Sequence, residues 1–322
     1  MKKLKLAVTI IFTGLLGSTE IMAQSTTTKI SPASEAGIIH YRKVKVNGLG
    51  VFYRESGPMG APTILLLHGY PTSSHMFRNL IPILNKKYHV IAPDLPGFGN
   101  TDLADRKNFH YTFENLAKTM QNFIDQLKLK RFAMYVFDYG APTGFRLALA
   151  NPEKITGIIS QNGNAYVEGL STGWNPIQKY WEDDTQENRD ALRSFYSEEG
   201  TKFQYFTGVT DATLIAPEAY MVDQYLLDRP ESAEIQLDLL KDYKTNVELY
   251  PRFQQYFRTN KPKLLAVWGN KDPFFLPPGA EAYKKDLPDA IVKFYDTGHF
   301  ALETHGNEIG SEILKFLATL PH

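Results

Sequence analysis

The stretch "RFAMYVFDYGAPTGFRLALA", residues 131–150, decides the fold. Its first half is a short apolar run with no polar interruption, the pattern of a strand buried on both faces. Its second half is rich in small residues and leucine and reads as a helix. Between them, Asp138-Tyr139-Gly140 leaves almost no chain for a loop. A strand that turns this sharply into a helix lifts the side chain at the apex above the end of the sheet. That side chain is the carboxylate of Asp138.

Outward from this point the same alternation repeats. "TILLLHG" (63–69), "YHVIAPD" (88–94) and "KITGIIS" (154–160) are further buried-strand runs, separated by helical stretches such as "FENLAKTMQNFIDQL". Two more runs come late, "KLLAVWG" (263–269) and "AIVKFYDTG" (290–298). Strands alternating with helices require crossovers, so the expected fold is α/β, a mostly parallel central sheet with helices on both faces. An opening hairpin around Asn47-Gly48 is expected to precede it. Residues 164–258 have another texture, polar, aromatic and free of buried-strand runs, and read as an inserted helical cap. The core is then residues 24–163 and 259–322.

The first 23 residues, "MKKLKLAVTIIFTGLLGSTEIMA", have a basic start, an apolar stretch from Leu6 to about Leu16 and a small-residue end before Gln24. They read as a secretory signal peptide. The apolar run falls short of the ~20 residues that span a bilayer. The expectation is an exported protein, periplasmic or secreted, with no membrane attachment after cleavage. Basic and acidic residues both total 35, without long runs of one sign, so neither nucleic acid nor an anionic surface is indicated as a partner. With no cysteine in the chain, disulfides, thiol catalysis and thiolate metal sites are excluded. The histidines do not fall at helical ligand spacing, so no metal is expected either. The expected partners are a small-molecule substrate and water. The sequence does not fix the oligomeric state.

In open α/β sheets ligands bind beyond the carboxyl ends of the strands. Asp138 ends one strand, Asp272 follows "LLAVWGNKD" and His299 follows "VKFYDTGH". The chain order of nucleophile, acid and histidine is that of the α/β-hydrolase triad. With "HGYPTSSHMFRNLIP" (68–82), "DLPGFGNTD" (94–102), "FDYGAP", "WGNKDPF" and "DTGHF" in that order, the chain resembles α/β-hydrolases of the epoxide hydrolase and haloalkane dehalogenase branch. The likeness runs over residues 38–318 except the cap. It implies backbone oxyanion donors at Tyr70 and Tyr139, and no cofactor. His68 and Asp94 are expected to shape the oxyanion loop. "GLSTG" (169–173) matches the serine-nucleophile expression letter for letter, but it lies outside a strand–helix turn, so Ser171 is read as a decoy.

An aspartate, with an ordinary pKa near ~3.9, is anionic at neutral pH and needs no base to attack. Toward an ester carbonyl it is a weak nucleophile and would form an anhydride. Toward a saturated carbon with a strained or good leaving group it forms an alkyl-enzyme ester. His299, oriented by Asp272, would then activate the water that hydrolyses that ester. An epoxide oxygen leaving as alkoxide needs a proton donor, and tyrosine suits that role. Nine of the 18 tyrosines fall in the cap. The resemblance nominates Tyr243, in "KDYKTN", and Tyr205, in "KFQYFTG". Dehalogenases of this branch carry tryptophan right after the nucleophile and often asparagine in the His-Gly-x-Pro slot. Tyr139 and Tyr70 stand there instead, leaving Trp174 and Trp181 as substitute halide donors. The expected activity is epoxide hydrolysis, with haloalkane or haloacid dehalogenation as the alternative and a non-catalytic receptor as a third reading.

Overall fold

Asn47 and Gly48 both take positive φ, 49° and 91°, as a two-residue hairpin turn requires. Strands β1 (Ile39–Val46) and β2 (Leu49–Ser56) therefore pair antiparallel, from Val46 against Leu49 out to Ile39 against Ser56. The computed structural model describes residues 37–321, so the signal-peptide reading of residues 1–23 lies outside the described residues. β3 (Thr63–Leu67), β4 (His89–Pro93), β5 (Phe132–Phe137), β6 (Ile155–Gln161), β7 (Leu264–Gly269) and β8 (Ile291–Tyr295) complete an eight-stranded sheet of order β1-β2-β4-β3-β5-β6-β7-β8. From β4 to β8 every pairing is parallel, and β2 meets β4 antiparallel.

Successive strand residues point to opposite faces, and here each face has its own core. Leu65, Leu67, Met134 and Val136 join one cluster with Phe113, Leu116, Phe145 and Tyr283. Ile64, Leu66, Tyr135 and Phe137 join the other with Phe77, Ile81, Ile313 and Phe316. Phe113 and Leu116 come from α1 (Phe113–Gln126), Phe145 from α2 (Gly140–Ala150) and, near the end of the chain, Tyr283 from α8 (Pro277–Asp286) and Ile313 and Phe316 from α9 (Ala301–Leu317), while Phe77 and Ile81 lie on two short helical segments after β3. In α1 the buried residues Phe113, Leu116, Ala117, Met120, Phe123 and Ile124 recur at three- and four-residue spacing, and Thr112 caps it by accepting from the Asn115 N–H.

Between β6 and β7 the described chain forms no strand of the sheet. It holds α3 (Asn175–Glu182), α4 (Glu198–Phe206), α5 (Pro217–Leu227), α6 (Ser232–Asp242) and α7 (Lys244–Asn260), with shorter helical turns between them. Polar ties fix this layer to the core. The Phe113 N–H at the start of α1 donates to Asp242 Oδ2 at 2.7 Å, where the helix dipole favours a carboxylate. Arg146 on α2 donates to Asn246 Oδ1 at 2.5 Å, and Arg106 pairs with Asp238 at 2.8 Å. The cap thus lies over the carboxyl end of β5, where Asp138 emerges.

Candidate active site

Asp138 takes φ +48°, a left-handed conformation that a non-glycine residue adopts only under constraint. Its surroundings supply that constraint. A Cβ on Gly140 would lie 2.3 Å from the Leu67 carbonyl oxygen, and one on Gly69 would lie 2.4 Å from the Cβ of Asp138. Both positions admit glycine alone, so the elbow and the loop after β3 pack backbone to backbone. The contact brings the Tyr70 N–H to 2.6 Å from Asp138 Oδ1. The Tyr139 N–H, at the start of α2, also bears on the carboxylate.

The loop carrying Tyr70 is held by two buried polar residues. His68 accepts the Leu95 N–H on Nε2 at 2.9 Å, which leaves Nδ1, 2.9 Å from the Gly69 carbonyl, as the donor. Burial lowers its pKa and keeps this neutral form. Asp94 accepts from the N–H groups of Ser74 at 2.7 Å and Asn100 at 2.6 Å. Both residues are structural.

Asp272 and His299 come from the ends of β7 and β8. His299 Nδ1 lies 2.7 Å from Asp272 Oδ2. Asp272 is itself fixed by the N–H groups of Phe274 (2.7 Å) and Phe275 (3.1 Å) and by the side-chain amide of Asn162 (2.7 Å). Asn162 is missing from the sequence reading, although it follows β6 directly and the strand-end rule points at it. The other ring nitrogen of His299, Nε2, is 4.0 Å from Asp138 Oδ2. The three side chains therefore form one constellation. Asp138 Oδ1 is held by a backbone donor, and Oδ2 faces the imidazole.

Burial pushes the Asp138 carboxyl up to about 6, and His299 and the two backbone N–H groups pull against that rise. The group remains mostly ionised at pH 7. Burial also works against a charged His299, but Asp272, by charge and hydrogen bond, and then Asp138 outweigh it and raise its pKa. The imidazole is thus more basic than an ordinary histidine and held in one tautomer by Asp272.

A narrow cavity of about 30 Å³ opens over Asp138, small against the usual range of small-molecule sites. Tyr70, Tyr139 and Tyr196 line it with Trp174, Ile177, Phe195, Gln204, Leu240, Phe274 and Phe275. Neither of the two nominated cap tyrosines lines it, though Tyr243 packs against residues that do. The Tyr243 ring packs 4.5 Å from Trp174 and 5.8 Å from Tyr139, and its hydroxyl has no hydrogen-bond partner. Tyr205 is a correction. Its ring stacks at 3.9 Å on Phe300, its hydroxyl donates to Asp223 Oδ2 at 2.5 Å, and it does not line the cavity. The preceding residue, Gln204, does. The cap tyrosine that lines the cavity is Tyr196, whose buried hydroxyl is unpartnered. Nothing in the polar, aperiodic stretch around it marks Tyr196 in sequence. Burial raises the pKa of Tyr70, Tyr139, Tyr196 and Tyr243 well above the ordinary value, so all four stay protonated.

The two cap tryptophans are not free to bind a halide. Trp174 Nε1 donates to the Phe274 carbonyl at 3.1 Å and Trp181 Nε1 to the Leu240 carbonyl at 2.7 Å. Ser171 caps the turn Thr172–Trp174 and donates to the Pro273 carbonyl at 2.6 Å. Among the described residues, no group of three or more His, Asp or Glu side chains is arranged to hold a metal ion, and no helix is long and apolar enough to cross a membrane.

Comparison with known proteins gives the same architecture. The family profile described as alpha/beta hydrolase fold matches residues 62–306. An uncharacterized hydrolase of Saccharomyces cerevisiae is 47% identical over 287 residues, covering 87% of this chain and 98% of its own. A haloalkane dehalogenase of Psychrobacter cryohalolentis is 27% identical over 281 residues, covering 85% and 89%. The crystal structure of epoxide hydrolase VrEH1 from Vigna radiata superposes with a TM-score of 0.67 at 20% identity, covering 87% and 98%. At that identity the superposition speaks for the fold.

Proposed function

This chain belongs to the alpha/beta hydrolase fold family, and on that premise we propose that it is an epoxide hydrolase working through an ester on Asp138. The observation that carries the reading is the division of labour within one carboxylate. Oδ1 rests on the Tyr70 N–H, while Oδ2 faces the cavity and His299. Oδ2 attacks a ring carbon, the C–O bond breaks, and the oxygen takes a proton from a cavity tyrosine. Tyr196, which lines the cavity, is the first candidate, and Tyr243, packed against Trp174 and Tyr139, the second; both hydroxyls are unpartnered. His299 Nε2 then removes a proton from water as its oxygen adds to the ester carbonyl. The oxyanion falls to the N–H groups of Tyr70 and Tyr139. Collapse expels the second diol oxygen, which takes the proton from His299. Asp138 is left as the acid and returns its proton to the tyrosinate, closing the cycle.

Dehalogenation uses the same first displacement, and a dehalogenase is among the relatives. Against it stand the two indole N–H groups already bonded to carbonyls and the tyrosines at positions 70 and 139. The deciding experiment is intact-protein mass spectrometry of His299→Gln mixed with a panel of epoxides and haloalkanes. The epoxides should leave an adduct that maps to the peptide bearing Asp138. An adduct from haloalkanes alone would transfer the assignment to the dehalogenases. Far faster wild-type turnover of p-nitrophenyl esters would overturn the choice of electrophile. We further propose that the enzyme is exported, on the strength of its leader-like first 23 residues. Recovery of a mature chain starting at Gln24 is the result expected.

A further inference from the structure

The cavity holds one neutral polar group that this cycle does not use. Gln204 lies on α4 and is 3% exposed, and its Nε2 has no hydrogen-bond partner although the residue lines the cavity beside Asp138. Its amide bears on the Tyr70 hydroxyl oxygen without completing a hydrogen bond, and the Tyr70 proton goes to the Phe195 carbonyl at 2.7 Å. The rest of the wall is aromatic or aliphatic apart from Asp138 and the tyrosine hydroxyls. A buried amide donor in such a wall costs free energy when a ligand displaces its water without offering an acceptor. An amide N–H is also far too weak an acid to protonate an alkoxide, so it does not replace a tyrosine in opening the ring. What it can do is hold a neutral acceptor.

We propose that Gln204 is a specificity-determining residue that hydrogen-bonds an ether, hydroxyl or carbonyl oxygen of the substrate, beside the carbon attacked by Asp138. The substrate class that follows is a small oxygen-substituted aliphatic epoxide rather than a plain alkene oxide. The proposal rests on the epoxide reading for the reacting group and on Gln204 alone for the substituent. The narrowness of the cavity, about 30 Å³, sets the scale and points to a small ring with a short chain and not a bulky aryl ether.

Glycidyl methyl ether and 1,2-epoxypentane have nearly the same shape and differ by one oxygen in place of a methylene. The wild type should favour the ether by about tenfold or more in kcat/KM, since a site built around a donor rejects the analogue that leaves it unpaired. Gln204→Leu should bring the ratio to within about threefold, mostly by losing the ether and not the alkane. The same pair titrated by NMR against the unreactive Asp138→Asn protein reads binding without chemistry. A preference there that vanishes in Asp138→Asn/Gln204→Leu upholds Gln204 even if no epoxide is turned over, in which case the epoxide reading alone falls. No binding preference in Asp138→Asn, or one that survives the loss of Gln204, overturns the proposal. Thermal unfolding of Gln204→Leu near that of the wild type shows that the variant is folded.

Discussion

Replacing Asp223 by asparagine exchanges one buried oxygen for an amide and leaves the Tyr205 hydrogen bond an acceptor. Asp223 lies on α5, fully buried, and its Oδ1 has no partner. Burial pushes its carboxyl up to about 8; the hydrogen bonds from Tyr205 and Thr72 and the charge of Arg78 only moderate the rise, and Glu303 adds to it. In an unfolded chain the same group titrates near ~4. Between these values the folded protein keeps a proton that the unfolded chain releases, so stability falls as pH rises through the window and levels off above it. Four units at ~1.36 kcal/mol each give an upper figure of about 5–6 kcal/mol, and with the higher effective dielectric of real interiors about half of that is expected. Urea unfolding of wild type and Asp223→Asn should therefore be run at pH 5 and pH 8. The stability of the variant relative to wild type should increase by about 1–3 kcal/mol between the two. A constant difference would refute the reasoning, because it would mean that Asp223 titrates alike in both states.

Two further outcomes test the catalytic geometry. Tyr196→Phe should lower epoxide turnover by roughly 100-fold or more, the usual contribution of a positioned acid, whereas Tyr205→Phe should stay within about threefold because its hydroxyl is directed at Asp223. Steady-state kinetics on one epoxide compares the two. The pH profile of kcat/KM should fall on the acid side from about pH 6, where the Asp138 carboxyl takes up a proton and ceases to be a nucleophile. The raised pKa of His299 acts in the same direction on ester hydrolysis, since its base form is lost as pH drops. A profile that stays flat down to pH 4 would contradict both assignments.

Most of the fold could be read from the sequence because its signals are local. Asn47-Gly48 fixes a hairpin by its own φ preference, and the apolar runs that became β3 to β7 have no second use in a chain that folds in water. The triad was legible for a related reason. Each member follows a strand by a few residues, so the sheet alone sets their approach. The cap is different. Gln204 and Tyr205 are consecutive on α4, about 100° apart around the helix, and which of them faces Asp138 depends on how α4 rotates against the core. Asp223, which takes the Tyr205 hydroxyl, lies a helix further along the chain. The Trp174 and Trp181 indoles show the same dependence, since the carbonyls of Phe274 and Leu240 engage them only once the cap is folded.

Asp138 is made early in synthesis, on β5, whereas Asp272 and His299 follow β7 and β8 at the far end of the chain. A ribosome that has released the first four fifths of the protein has made the Asp138 side chain and the cap over it but neither Asp272 nor His299. On the proposed mechanism, repeated turnover would therefore require synthesis to have reached His299, just short of the last helix.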